Sequence, residues 1–258
     1  MPRKGTFTLM SSALENSDSP SPMQSRVAII RERIASTCLR VNRDPEKIRL
    51  IWVSKNHSQA EIQEAYALGA RLFGENRVQE AAEKFPLPPD ARGVAWDYEL
   101  HLIGHLQSNK IRKAVALGSA IHSVDSITLW ESINRIAGEL GKQIQVFLQV
   151  NTSMEDQKSG FTAKDLLEKA HVLPEAPHLR LMGFMTMGPM EGNAESSRPC
   201  FRRLRSLLEQ CNSHPQWKAR FPEARFLSMG MTADFESALE EGAHYLRLGT
   251  ALFGPRET

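Results

Sequence analysis

Lys55 is the residue of this sequence with the clearest chemical potential. It follows the apolar run at residues 48–53 after a single serine, a pattern typical of a buried strand that ends in a polar turn. A lysine at such a strand end, partly removed from water, can attack a carbonyl carbon and form a Schiff base. A solvated lysine at a strand terminus has the same pattern, so Lys55 alone does not decide between the two interpretations.

Two loops near the C-terminus have the residue types of an anion site. Ser228 and Gly230 precede a helical pattern that opens near residue 234, and Gly249 and Thr250 follow the last β-like run. Hydroxyl groups and free backbone N–H groups at a helix start bind phosphate, although glycines also supply turns and serines cap helices. Two such loops at adjacent strand ends, opposite Lys55, together predict a phosphorylated carbonyl ligand.

One arginine and two histidines lie on or beside the predicted strands. Arg247 lies on the last predicted strand, where it either points into the mouth of a barrel or pairs with a carboxylate inside it. His101 and His105 are four residues apart, which is a metal-ligand spacing on a helix. Because they bracket the end of a predicted strand instead, we predict no metal site and assign them to shaping the barrel mouth or satisfying its polar groups.

The elements that must position these residues alternate between short β-like runs and longer helical patterns. The predicted strands are residues 48–53, 70–73, 99–103, 120–124, 143–150, 179–185, 224–227 and 245–248, and helical patterns open near residues 59, 77, 108, 127, 163, 196 and 234. This alternation predicts a parallel sheet covered by helices. Eight repeats that close on themselves form an α/β fold, the (β/α)8 TIM barrel, with an open doubly wound sheet as the alternative.

Polar and glycine-rich clusters follow nearly every predicted strand, and in a barrel these strand ends meet at the face where active sites lie. Residues 27–39 carry apolar side chains at helical spacing, so an N-terminal helix is predicted that ends before Asn42. We expect no helix after the last strand and expect the N-terminal helix to close that gap in the outer layer.

Composition excludes several classes of protein. The chain has 258 residues and a formal net charge of +2, which argues against nucleic-acid binding and a polybasic membrane surface. No apolar run approaches the roughly 20 residues of a membrane span. The three cysteines form no CxxC pair, so a reducing, cytoplasmic setting is predicted. Residues 1–25 are predicted to be a flexible tail without a secretory core, and residues 26–258 a single domain.

At this point the motifs resemble a known family, the YggS/PROSC-type pyridoxal 5′-phosphate (PLP) homeostasis proteins. The matching segments are 53–55 (VSK), 73–80 (FGENRVQE), 101–110 (HLIGHLQSNK), 150–151 (VN), 158–160 (KSG), 228–231 (SMGM) and 247–254 (RLGTALFG). The resemblance implies a barrel of the alanine racemase N-terminal type and PLP as the cofactor. It also implies a PLP Schiff base on Lys55, a phosphate surrounded by Ser228, Gly230, Gly249 and Thr250, Arg247 facing the pyridine nitrogen and Asn76 near the ring.

An arginine partner leaves the ring nitrogen neutral and PLP a weak electron sink, which disfavours transamination. Racemisation needs two acid/base groups on opposite faces of the substrate, and the three tyrosines, Tyr66, Tyr98 and Tyr245, are not on predicted site loops. The resulting hypothesis is a monomeric PLP carrier and regulator with little or no turnover, whose further partners are PLP-dependent apoenzymes. The alternatives are a PLP-dependent amino-acid racemase, a Schiff-base (class I) aldolase and a phosphosugar isomerase, and a transient PLP site on Lys110 or Lys158 stays open.

Overall fold

Eight parallel strands close into a barrel in chain order, each paired with the next and the last paired with the first. The computed structural model describes residues 20–86, 95–153, 159–169, 173–189 and 193–255. The strands are β1 Arg49–Val53, β2 Leu72–Glu75, β3 Glu99–Leu102, β4 Ala120–Val124, β5 Ile144–Gln149, β6 Leu179–Met185, β7 Phe226–Ser228 and β8 Tyr245–Leu248. The predicted TIM barrel is therefore confirmed, and the open sheet is excluded.

Helices cover the outside of the barrel between successive strands. They are α1 Pro22–Arg40, α2 Gln59–Ala67, α3 Val78–Lys84, α4 Ile111–Leu117, α5 Ile127–Glu139, α6 Ala163–Lys169, α7 Ala194–Ser213, α8 Pro215–Arg220, α9 Phe235–Glu240 and α10 Thr250–Phe253, with short 3-10 turns at Pro45–Lys47 and Ser108–Lys110. None of the described helices is long and apolar enough to cross a membrane. Helix α1 begins at Pro22, within the segment predicted as a tail, and residues 1–19 lie outside the described part of the chain.

The expectation that no helix follows the last strand was wrong, because the four-residue helix α10 comes directly after β8. Arg26 of α1 donates hydrogen bonds to the backbone oxygens of Leu252 (2.9 Å) and Phe253 (2.6 Å). Helix α1 also packs against α9. The N-terminal helix therefore closes the outer layer as predicted, but it does so together with α10.

The start of β2 was predicted two residues too early. Gly69, at φ +96°, ends α2 in a left-handed conformation. The Gly69 N–H bonds to the oxygen of Tyr66 at 2.9 Å and the Ala70 N–H to that of Ala65 at 2.9 Å, which is the Schellman pattern. Ala70 is thus bound to the helix that precedes it, and the strand begins only at Leu72.

The apolar core has two parts. The larger part lies between the helices and the outer faces of the strands. A smaller cluster fills the barrel itself and contains Ile51, Val53, Leu72, Phe147, Met182, Met185 and Tyr245. Side chains from alternate strands fill a TIM barrel in layers. Among the described residues, several polar side chains interrupt this apolar interior, including His101, His122, Ser228 and Arg247.

Candidate functional site

The first and last strands bring the predicted lysine and the last glycine loop together. In the β1–β8 ladder Ile51 pairs with Arg247 and Trp52 with Leu248. Gly249 follows β8 so closely against β1 that a Cβ added to it would lie 3.2 Å from the Val53 carbonyl oxygen. Lys55 follows the end of β1 and is half-buried. Lys55 and the Gly249–Thr250 loop therefore lie side by side at the C-terminal mouth of the barrel.

The backbone around Lys55 is fixed by contacts on both sides. Asn56, directly after it, adopts the left-handed conformation at φ +63°. Its N–H donates a short hydrogen bond to Glu80 of α3. The ring of His57 stacks on Phe253 of α10, with 4.4 Å between the ring centroids. A non-glycine residue at positive φ costs energy that surrounding contacts must offset, and these contacts supply that restraint.

A buried lysine lies beneath this loop. Lys84 Nζ donates to the Ser54 backbone oxygen at 2.7 Å, to Glu75 Oε1 at 3.1 Å and to Glu80 Oε1 at 2.6 Å. The Ser54 hydroxyl also donates to Glu75 Oε1, at 2.7 Å. We call Ser54, Glu75, Glu80 and Lys84 the clamp. It joins β1, β2 and α3 directly under Lys55.

The two carboxyl groups of the clamp respond differently to burial. Burial raises the pKa of Glu75, and the hydrogen bond from Ser54 and the charge of Lys84 offset only part of that rise. Burial also raises the pKa of Glu80, but the hydrogen bonds from Lys84 and Asn56 outweigh it, so the net shift is downward. Glu80 therefore carries the negative charge that neutralises Lys84.

Sequence reasoning missed Lys84 and gave Glu75 no role. The available signal was the spacing of Glu80 and Lys84, which lie four residues apart on one helix. That spacing is common on solvated helix faces, so it does not reveal that Lys84 is only 9% exposed.

Asn76 follows β2 at the mouth and is half-buried. Its backbone is in close contact with the loop after β3, because a Cβ added to Gly104 would lie 2.4 Å from the Asn76 carbonyl oxygen. Glycine at position 104 thus lets the loops after β2 and β3 approach each other and places Asn76 on the rim.

Arg247 lies inside the barrel near the mouth and is 5% exposed. Its Nη1 donates to Ser228 Oγ at 2.8 Å and its Nη2 to the Thr186 carbonyl oxygen at 2.8 Å. Of the two interpretations left open by the sequence, the structure favours the mouth, since these two bonds go to uncharged oxygens. Burial lowers the pKa of Arg247 to about 10, against the opposing effect of the Asp234 charge, so the guanidinium is charged at neutral pH.

The structure places the predicted phosphate residues in two different environments. The Ser228 hydroxyl is fully buried between Arg247 and His122, so in this structure it is engaged inside the barrel rather than presented to an anion. Gly230 adopts φ +94°, and a Cβ added to it would lie 2.6 Å from Ala238 Cβ. Gly249 begins α10 without a side-chain cap, and Thr250 is exposed. Within this short helix the Leu252 and Phe253 N–H groups donate to the Gly249 oxygen at 2.8 and 3.0 Å. The N–H groups at its very start have no intrahelical acceptor, so they provide donors beside Lys55.

The other candidates are dispersed. His105 pairs with Asp125 at 3.2 Å on the rim, whereas His101 is completely buried below it. Lys110 ends a 3-10 turn after β3, and Lys158 lies outside the described residues. Among the residues that the structure describes, no three His, Cys, Asp or Glu side chains form a group that could hold a metal ion.

Comparisons with known proteins cover nearly the whole barrel. The family described as alanine racemase, N-terminal domain, matches residues 30–257. A pyridoxal phosphate homeostasis protein of Aquifex aeolicus is 36% identical over 232 residues, which cover 90% of this chain and 97% of the relative. The solved structure of PipY from Synechococcus elongatus with PLP bound is 41% identical, with a TM-score of 0.72, over 87% of this chain and 100% of that one. An alanine racemase of Clostridium difficile, 15% identical with a TM-score of 0.62, shares the fold over 91% of this chain and 58% of its own.

Proposed function

This chain belongs to the family of pyridoxal phosphate homeostasis proteins, and from that membership we propose that it binds PLP through Lys55 and takes part in intracellular PLP homeostasis with little or no catalytic turnover. Reversible binding of a reactive aldehyde buffers its free concentration. The observation that carries the proposal is the position of Lys55 at the end of β1, directly beside the Gly249–Thr250 loop after β8.

The residues at the barrel mouth match the aldehyde, the phosphate and the ring nitrogen of PLP. Lys55 supplies a primary amine for the aldehyde. Gly249, Thr250 and the uncapped start of α10 supply backbone N–H groups for the phosphate, and Gly230 adds a loop without a Cβ at the end of β7. Arg247 supplies a charged donor for the ring nitrogen, and Asn76 lies on the rim. Ser228 contributes to this site by holding Arg247.

When bound, PLP supplies an aldehyde that condenses with an amine and a conjugated ring that withdraws electrons from the condensed carbon. Lys55 would provide that amine. The clamp keeps the Lys55 backbone in one position, because Ser54 and Asn56 on either side of it are both hydrogen-bonded to clamp side chains. Arg247 has donors but no acceptor, so it could donate to a neutral ring nitrogen but could not stabilise a protonated one.

The absence of turnover is supported by where the tyrosines lie. Tyr245 opens β8 inside the barrel, and its hydroxyl accepts a hydrogen bond from Arg49 at 3.2 Å. The Tyr66 hydroxyl accepts one from the Asp97 N–H at 3.2 Å, and Tyr98 directly precedes β3. All three tyrosines therefore lie at the N-terminal end of the barrel, the end opposite Lys55. A racemase of this chemistry needs a second acid/base group facing the first, and no tyrosine is in a position to serve.

The proposal is tested by hydride trapping and mass spectrometry. PLP-saturated protein treated with borohydride should carry one reduced pyridoxyl adduct on Lys55. The Lys55→Ala variant should lose both the adduct and the absorbance band near the visible edge, whereas Lys110→Ala should keep them. Unmodified Lys55 in saturated wild-type protein would reject the proposed binding site. Robust turnover in racemase, transaminase or decarboxylase assays would reject the carrier role.

We place the protein in the cytoplasm as a monomer that passes PLP to apoenzymes. The three free cysteines, Cys38, Cys200 and Cys211, are buried thiols, as suits a reducing compartment. Sedimentation of the purified protein tests the monomer, and transfer of PLP to a purified apoenzyme faster than release into buffer tests the delivery.

A further inference from the structure

An unbroken line of hydrogen bonds crosses the barrel interior from its N-terminal end to the mouth. Glu99 Oε2 lies 3.3 Å from His101 Nε2, and His101 Nδ1 lies 2.9 Å from His122 Nε2. His122 Nδ1 lies 2.9 Å from Ser228 Oγ, which accepts from Arg247 at 2.8 Å. We call these five side chains the interior network. They come from β3, β4, β7 and β8, and the three central residues are fully buried.

The two ends fix the direction of every bond in between. Arg247 has only donors, and an ionised Glu99 has only acceptors. Because Arg247 donates to the Ser228 oxygen, the Ser228 hydroxyl donates its proton to His122 Nδ1. His122 must then carry its proton on Nε2, and it donates this proton to His101 Nδ1. His101 in turn carries its proton on Nε2 and donates it to Glu99. The reverse arrangement would aim an unprotonated His101 nitrogen at a carboxylate and leave the buried Ser228 proton without an acceptor. Both histidines are therefore neutral Nε2–H tautomers.

Charge and packing are consistent with that assignment. Burial lowers the pKa of His101 and lowers the pKa of His122 well below its usual range. The hydrogen bond from His101 lowers the pKa of Glu99, with Arg49 at 2.9 Å acting in the same direction. The rings pack against apolar neighbours: His122 stacks on Phe147 at 4.1 Å, and Tyr245 lies beside both histidines.

We propose that the interior network is a one-way hydrogen-bond line that positions the guanidinium of Arg247 at the barrel mouth. Glu99, His101 and His122 are thus positioning residues, which act on the mouth through Ser228. The direction of the line stands on the geometry alone. The expected effect of the interior network on PLP binding rests on the proposed function, in which Arg247 faces the ring nitrogen.

The network is unusual for a barrel core. Branched apolar side chains normally fill such interiors, and a buried polar group is tolerated only when it is fully bonded. An apolar pair in place of the two histidines would fill the same space without needing partners. The histidines instead connect a carboxylate that is 42% exposed at one end of the barrel to the guanidinium at the other. Such a connection keeps the Ser228 oxygen as an acceptor for Arg247, because the Ser228 proton is directed to His122.

The direction is tested in the protein without PLP, by nitrogen-15 NMR of the imidazole rings. Both His101 and His122 should be neutral and protonated at Nε2. Glu99→Met removes the terminal acceptor, so His101 should lose its preference for that tautomer. Arg49→Met removes the ion pair of Glu99 but keeps the acceptor, so the tautomers should not change. A ring that is charged at neutral pH or protonated at Nδ1 in the wild type would overturn the proposed direction.

The positioning role is tested with two substitutions of His122 and PLP titration. His122→Gln retains one acceptor and one donor on a planar amide, whereas His122→Phe retains only the ring. We expect His122→Phe to bind PLP about tenfold more weakly, because the orientation of a charged donor is lost, with a displaced absorbance maximum. The Gln variant should recover most of the affinity and the wild-type spectrum. Equal affinity and spectrum in all three proteins, or equal loss in both variants, would overturn the role. If wild-type protein binds no PLP, the proposed function fails while the NMR result still decides the direction of the line.

Discussion

The side-chain nitrogen of Lys84 lies 2.7 Å from the backbone oxygen of Ser54, the residue immediately before Lys55. One lysine is therefore buried directly under another, the lysine that we propose binds PLP. The same nitrogen contacts Glu75 and Glu80, and Glu80 in turn accepts from the Asn56 N–H. The position of Lys55, the proposed PLP lysine, is thus determined by a charge cluster drawn from β2 and α3.

Substitution of Lys84 by methionine should destabilise the protein and reduce the trapping of PLP on Lys55. It leaves two glutamates close together in a buried site without their cation, and breaking such a buried pair costs about 3–5 kcal/mol. Urea denaturation measures the stability, and the yield of borohydride adduct on Lys55 measures the site.

A matched control is Lys164→Met, which removes a lysine paired with Glu168 four residues away on an exposed helix face. It should change the free energy of unfolding by less than about 0.5 kcal/mol. Similar effects from the two substitutions would show that the clamp does not hold the Lys55 loop.

Alanine at Gly230 should be much more damaging than alanine at Gly141. Gly230 has φ +94° and would place its Cβ 2.6 Å from Ala238 Cβ, whereas Gly141 has φ +62° with no atom within 4 Å of an added Cβ. Gly141→Ala therefore reports only the backbone cost of about 1–2 kcal/mol, and Gly230→Ala adds overpacking of about 1–3 kcal/mol. Thermal denaturation of both variants gives the difference, and PLP titration should show weaker binding only for Gly230→Ala.

Stability should fall as the pH is lowered from about 6.5, the range in which histidines of the unfolded chain take up protons. Burial lowers the pKa of His101 and His122, and it lowers that of His244 to about 4. Between the histidine pKa of the unfolded chain and the lowered pKa of the folded protein, the unfolded chain binds protons that the folded protein does not. Each such proton lowers the free energy of unfolding by up to about 1.4 kcal/mol for each pH unit of acidification. The pKa of Glu99 is lowered, so its contribution is lost only below about 4.5.

Urea denaturation at several pH values between about 7.5 and 5 measures this dependence. His244 Nδ1 accepts a hydrogen bond from the Leu227 N–H at 3.2 Å, which protonation would break. His244→Gln retains an acceptor but does not titrate, so its curve should be flatter than that of the wild type. The raised pKa of Glu75 acts in the opposite direction in both proteins, so the decisive comparison is between the two curves. A His244→Gln curve as steep as that of the wild type would contradict a buried neutral His244.

Much of the fold was predictable because its signals are local. Strands β4, β6 and β8 and the starts of α2, α5 and α6 lie where the periodicity of the sequence predicted them. The Ser58–Glu61 capping box marks the start of α2 in the sequence itself. The main differences are elements with weak local signals. They are the short helices α8 and α10 and the starts of β2 and β7, each of which was predicted two residues too early.

The site was predicted in part. Once a barrel is assumed, chain position alone predicts that residues just after the strands lie together, because the C-terminal strand ends meet at one face. This applies to Lys55, Asn76, Gly249 and Thr250. The direction of a side chain on a short strand does not follow in the same way. Ser228 was expected to face an anion, yet its hydroxyl points into the barrel toward Arg247.

The sequence by itself determined the alternation of strands and helices, the lysine after the first strand and the glycine loops after the last two strands. Each of these features depends only on residues that are neighbours along the chain. Only the tertiary structure decided the clamp and the interior network. Lys84 reaches Ser54 across 30 positions and His122 reaches Ser228 across 106. Contacts of that kind depend on barrel closure and on which polar groups must find partners away from water, and no local pattern encodes either condition.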